Sequence, residues 1–224
     1  MNRIKLADRI LPTYTKGEEI SNMVSHIMGG VLGIVAIVLC SVFAGIHHNA
    51  YGVISGVIFG ISMIILYTMS SIYHGLKPNT TAKKVFQILD HCTIFILIAG
   101  SYTPFALCTL REYNTALGWT IFGIIWGLAA IGITLNSIDL KRYKVFSMIC
   151  YLAMGWCIIL KINILPSLIT NMGFILLLAG GIVYTLGAIL YGLGKKYKYM
   201  HFIFHICVIL GSFLHFMCIL LYVI

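Results

Sequence analysis

Charge is what this sequence has least of. Only 9% of its 224 residues are Asp, Glu, Lys or Arg, against about 25% in soluble domains, and six are acidic. A water-soluble surface cannot be built from so little, so a soluble fold is excluded. The ten-residue alternating segments of membrane strands are also missing, which excludes a transmembrane barrel. No CxxC pair occurs among the seven cysteines, and all seven lie inside apolar runs. They read as small core residues rather than disulfides or thiolate ligands. The net charge of +9 forms no continuous basic stripe, because the cations flank apolar runs. The expected partners are membrane lipids with anionic headgroups, not nucleic acid.

What is there is apolar. Hydrophobic residues make up 60% of the chain, and the mean hydropathy is +1.00. A bilayer core of about 30 Å needs about 20 such residues per helix. The pattern predicts an all-α membrane protein, a seven-transmembrane helix bundle, with spans at about 21–46, 50–76, 84–110, 115–137, 143–163, 168–192 and 200–223. Residues 1–20 form a polar N-terminal segment, and 21–224 a single transmembrane domain that leaves no room for a soluble one. The first apolar run starts near Met23 and is too long for a signal peptide, so it is expected to remain in the mature protein.

Basic residues alternate between loops. Arg3, Lys5, Arg9 and Lys16 precede the first span. Lys77, Lys83 and Lys84, then Lys141, Arg142 and Lys144, then Lys195, Lys196 and Lys198 fill the even loops, whereas Arg111 and Lys161 alone fall on the other side. The positive-inside rule places the N-terminus in the cytoplasm and the C-terminus outside. Small residues recur every four positions at Gly29/Gly33, Gly52/Gly56/Gly60 and Gly123/Gly127, which predicts close helix packing within the bundle. Pro104 is expected to kink the third span near Ser101 and Thr103.

Ionisable side chains inside a membrane helix are costly and mark functional sites by default. Among the acidic residues only Asp90 falls well within a span. His74 closes the second span, Asp90 opens the third, and His201 and His205 open the seventh, so charge counting and helix rise bring four polar residues to one depth near the cytoplasmic face. His201 and His205 stand at i, i+4 on one helix face, the spacing by which a helix presents two imidazoles to one metal. A nitrogen from His74 would complete a three-histidine site with one open position, and Asp90 could orient or deprotonate a water there. An HxxxH alone is a weak signal, and packing or interfacial histidines explain it better. Glu19, Asn22 and His26 share one face of the first span, where capping and interhelical bonding compete with a role at the site. His91 points about 100° from Asp90, so only Asp90 is expected to face the site. His47 and His48 are interfacial. His215 lies too deep for the same metal and is expected to line a cavity above it.

At these residues the chain resembles the haemolysin III family, the bacterial branch of the progestin and adipoQ receptors, related to membrane hydrolases such as alkaline ceramidases. Glu19-Ile-Ser-Asn22-Met-Val-Ser-His26 resembles the family's ExxNxxxH. Ser70-Ser-Ile-Tyr-His74 followed by Asp90 resembles its SxxxH…D, and His201-Phe-Ile-Phe-His205 its HxxxH. Ala99-Gly-Ser-Tyr-Thr-Pro-Phe105 is similar to the bacterial members. The resemblance covers essentially the whole chain. It implies a multi-pass protein of the bacterial cytoplasmic membrane, oriented opposite to G-protein-coupled receptors. It also implies Zn2+ held by His74, His201 and His205, with Asp90 as the water-holding carboxylate and Ser70 as a supporting hydrogen-bonding group. The expected function is zinc-dependent hydrolysis of a lipid amide or ester with a fatty-acyl part. The alternatives are a membrane-perturbing haemolysin and a non-catalytic receptor or regulator of lipid state with structural zinc.

Overall fold

The computed structural model describes residues 5–193 and 197–224. Arg3, Lys195 and Lys196, which enter the charge asymmetry, lie outside the described residues. Among the described residues seven helices are long and apolar enough to cross a membrane. They are α1 (Lys16–Ile46), α2 (Ala50–Gly75), α3 (Thr81–Pro104), α4 (Thr115–Asp139), α5 (Lys144–Trp156), α6 (Leu165–Leu193) and α7 (Met200–Tyr222). A π-helical turn (Phe105–Leu110) and a last turn (Arg111–Tyr113) extend α3, and a 3-10 turn (Cys157–Lys161) extends α5. Helices satisfy every backbone group without water, which is why apolar runs of this length take that form in lipid.

Polar residues at the ends set where the helices start. Thr15 and Glu18 form a reciprocal capping box on α1, and Asn49, Thr80 and Asn114 cap α2, α3 and α4 through their side-chain oxygens. The caps explain two shifts from the hydropathy pattern. Thr15 begins α1 at Lys16, ahead of its first apolar residues, and Thr80 begins α3 at Thr81, which draws Lys83 out of the predicted loop and into the helix.

Two of the glycine stripes pack as expected. A Cβ on Gly60 would stand 2.7 Å from the Gly33 carbonyl oxygen, and one on Gly33 would stand 3.0 Å from that of Gly60, so α1 and α2 touch backbone to backbone. The third stripe does not. Nothing lies within 4 Å of a Cβ on Gly123 or Gly127, so those glycines face outward from the bundle. Pro104 is followed by the π turn, while the Ser101 and Thr103 hydroxyls donate to the Ile98 and Ala99 carbonyls (both 2.9 Å). The axis of the bundle is α3, most of which is buried, and α5 is the most exposed helix. A buried chain of hydrogen bonds ties the α4–α5 hairpin to α3. Ser147 donates to Asn136 Oδ1 (2.6 Å), Asn136 Nδ2 donates to the Tyr151 hydroxyl (3.2 Å), and Tyr151 donates to the His91 carbonyl (2.7 Å).

Candidate metal centre

The end of the bundle that carries the N-terminus gathers the C-terminus of α2 and the first turns of α1, α3 and α7. Glu18 helps to fix this arrangement, because its Oε1 accepts from the backbone N–H of Tyr199 (2.8 Å), just ahead of α7, while its Oε2 is held by Thr15. His74 from α2 and His201 and His205 from α7 converge there, all three buried. His201 Nε2 stands 3.3 Å from His74 Nε2 and 3.1 Å from His205 Nε2.

The outer nitrogens decide what those inner nitrogens are. His74 Nδ1 lies 2.6 Å from Glu19 Oε2, and a carboxylate only accepts, so Nδ1 carries the proton and Nε2 of the neutral ring offers a lone pair. His205 Nδ1 lies 3.4 Å from the Asn22 carbonyl oxygen, which likewise makes its Nε2 a lone pair. Two lone pairs thus flank the Nε2 of His201, which can donate to one neighbour at most. A cation among the three resolves the conflict. Ligand nitrogens about 2.0–2.1 Å from a tetrahedral metal stand about 3.3–3.4 Å apart, close to the observed separations. The donor set therefore fits a metal ion.

A second layer of contacts holds the ligands. Glu19 also accepts from Lys83 Nζ (2.7 Å), and Lys83 donates to the Leu76 carbonyl at the end of α2 (3.1 Å). At 1% exposure Lys83 is among the most deeply buried side chains, with its ammonium 5.0 Å from the Tyr73 ring centroid. Charge counting places this lysine in a loop; it is instead the charged partner of the carboxylate that orients His74. His26 stacks on His205 (centroids 3.7 Å apart, planes at 15°), and both its ring nitrogens are buried without a hydrogen-bond partner. Asn22, Glu19 and His26 thus all border the cluster. Tyr14, which carries no signal in the sequence, stacks on His201 (5.1 Å, 23°) and reaches His74 (5.8 Å). Arg9 donating to Gln87 (2.9 Å) and Lys84 donating to the Ala7 carbonyl hold the segment that brings it there. Burial raises the Tyr14 phenol above its ordinary range, with Tyr73 adding to the shift, so it stays protonated.

Below the cluster lies a cavity of about 160 Å³ walled mainly by α3, α5, α6 and α7, similar in size to cavities that accept small apolar molecules. His26, Asp90, His201 and His205 line it at one end, and Tyr102, Trp156 and His215 line it deeper. Ten residues of α7 separate His205 from His215, about 15 Å of helix rise. His215 donates to the Leu177 carbonyl (3.2 Å). Asp90 is buried, with Ser70 beside it. His91 lines the same cavity as Asp90. Its Nδ1 donates to the Gln87 carbonyl (2.9 Å) and lies 3.5 Å from Asp90 Oδ2.

Fold and site together define an integral membrane protein of seven spans with a buried three-histidine cluster that can hold a metal ion and opens onto an internal cavity. The chain belongs to the haemolysin-III related family, which matches residues 14–216. It is similar to Hemolysin-3 of Bacillus cereus, 43% identical over 206 residues and 92% of each chain. The Hemolysin-3 homolog of Bacillus subtilis (strain 168) is 39% identical over 209 residues, covering 93% of this chain and 96% of the relative. A more distant relative, the Monocyte to macrophage differentiation factor of Homo sapiens, is 26% identical over 203 residues, covering 89% and 82%.

Proposed function

We propose that this protein is a zinc-dependent hydrolase of a lipid amide or ester, with its site near the cytoplasmic face of the membrane. The observation that carries the reading is three histidine nitrogens, two with fixed lone pairs, at the polar end of a cavity within the bilayer-spanning bundle. When bound at such an open site, zinc lowers the pKa of water toward about 7 and polarises a carbonyl.

The chain's own residues supply the rest. Glu19 keeps His74 in the Nδ1–H tautomer, and Lys83 keeps Glu19 aligned. The Asn22 carbonyl does the same for His205. Asp90, with Ser70 and His91 around it, orients or deprotonates the attacking water and afterwards passes the proton toward the leaving amine or alcohol. The apolar walls between Ile94 and Leu97 of α3 and Val208 of α7 receive the acyl chain and exclude bulk water. Tyr14 closes the cluster on the side of the N-terminal segment. The excess of cations on this side of the chain supports a cytoplasmic orientation.

Elemental analysis and turnover test the reading together. Purified wild type is expected to carry zinc and to hydrolyse members of a ceramide-like and ester lipid panel. His205→Ala is expected to carry almost none, whereas Asp90→Asn should keep its zinc and lose turnover by about 10²-fold or more. Hydrolysis by metal-free protein, or wild type without zinc, would overturn the proposal.

A further inference from the structure

The mouth of the cavity carries a cation that the hydrolytic reading does not use. Lys144 is the first residue of α5, at the same end of the bundle as the histidine cluster, and it lines the cavity. A lysine at the end of a membrane helix ordinarily extends outward to the headgroups. Here the half-buried side chain turns inward, with its ammonium 5.3 Å from the centroid of the Tyr191 ring. The same ring lies 5.7 Å from that of His201, and its hydroxyl donates to His91 Nε2 (3.4 Å). The ammonium is thus one aromatic ring away from a ligand of the candidate metal. Asp90 and Lys144 are the two non-histidine residues with ionisable acidic or basic groups, tyrosines aside, among those lining the cavity, and Asp90 lies against His91. Exposed Lys141 and Arg142 stand three and two residues before Lys144 and extend positive charge from the mouth to the surface.

We infer that the cavity selects a lipid whose headgroup carries net negative charge, and that Lys144, held by Tyr191, is the selecting residue. This rests on the reading of the site as one that takes a lipid. A lipid whose chain points toward Trp156 and His215 and whose carbonyl meets the histidine cluster leaves its headgroup at the mouth beside Lys144. An anionic headgroup phosphate is attracted there. The ammonium of a zwitterionic headgroup is brought against a like charge.

Trp156 lines the deep end of the cavity and reports an occupying chain. In a Trp119→Phe/Trp126→Phe background the remaining indole is quenched when a brominated chain enters. The experiment titrates detergent-solubilised protein with phosphatidylglycerol and with phosphatidylcholine carrying identical brominated chains. The expected half-quenching concentration is about fivefold lower for phosphatidylglycerol, the scale of one lysine near an anionic surface. Lys144→Gln should equalise the two lipids, and Lys144→Glu should reverse the preference. Inorganic phosphate at millimolar concentration should leave the quenching unchanged; if it displaces phosphatidylglycerol, the mouth binds free phosphate and the lipid assignment falls. Equal quenching in wild type, a preference that survives both variants, or no quenching by either lipid overturns the inference. Because the readout is binding, such a failure leaves zinc-dependent turnover standing, and an inactive protein that still discriminates through Lys144 removes only the hydrolase.

Discussion

The part of the bundle built by α1, α2, α3 and α7 and the part built by α5 and α6 solve opposite problems. In the first, backbones meet at Gly33 and Gly60, a buried lysine pairs with a glutamate, and His201 Nε2 stands 3.3 and 3.1 Å from the Nε2 atoms of His74 and His205. In the second, most of the helix surface faces outward and what is buried mainly walls a cavity. Metal ligands require a rigid frame, since a misplacement of about 1 Å breaks coordination. A compartment for a lipid chain must let that chain in sideways, so a loosely held wall suits it. Among the described residues, side-chain hydrogen bonds are few across the second part, with Trp156 donating to Thr185 (2.9 Å) joining α5 to α6.

Substitutions can break this contrast or sharpen it. The largest effect is expected at the α1–α2 contact. Gly60→Leu drives a side chain against the Gly33 carbonyl, a backbone atom that cannot move aside, and should cost about 3 kcal/mol or more. Gly127→Leu, at a glycine with nothing within 4 Å, should leave the melting temperature in detergent nearly unchanged. Equal losses at the two glycines would erase the difference between tight and open faces.

Lys83→Met comes next. Removing one member of a buried ion pair leaves Glu19 with an uncompensated charge, a loss of about 3 kcal/mol in detergent unfolding measurements. Lys84→Met, one residue on and only half-buried, should change stability by less than about 1 kcal/mol. Glu19→Gln keeps the shape of the side chain but loses the charge that fixes the His74 tautomer. Zinc affinity measured by competition with a chelator should fall about 10–100-fold, with the helical content preserved. The smallest effect belongs to the support of the cavity wall, where Asn136 of α4 bonds to Ser147 and Tyr151, which line the cavity. Asn136→Ala cuts the hydrogen-bond chain from Ser147 to Tyr151 and should cost about 1 kcal/mol, as interhelical polar contacts in membranes do, without changing zinc content. A loss of zinc in that variant would show that the two parts are coupled.

Several elements of the site are legible in the amino-acid sequence. The i, i+4 spacing of His201 and His205 survives any packing, because one helix carries both. His74 and Asp90 come to the same depth through the alternation of spans, which depends only on where apolar runs begin and end. Lys83 is not legible. A lysine three residues into a capped helix and a lysine in a loop look alike to a charge count, and only the approach of α1 to α3 brings Glu19 within 2.7 Å of it. Tyr14 is hidden for a related reason, since its position depends on contacts from Arg9 and Lys84 that join residues more than seventy positions apart. The outward direction of Gly123 and Gly127 runs against the expectation from their spacing, because a small-residue stripe records the ability to pack closely and not the presence of a partner helix.

The sequence by itself determined the seven apolar helices and the common end of the bundle at which His74, His201 and His205 stand, because hydropathy and helix rise are local properties of the chain. The tertiary structure alone decided which groups the outer histidine nitrogens face, which lysine is buried and which carboxylate holds His74. Those outcomes depend on distances of a few ångströms between side chains on different helices, and no periodicity within one helix encodes them.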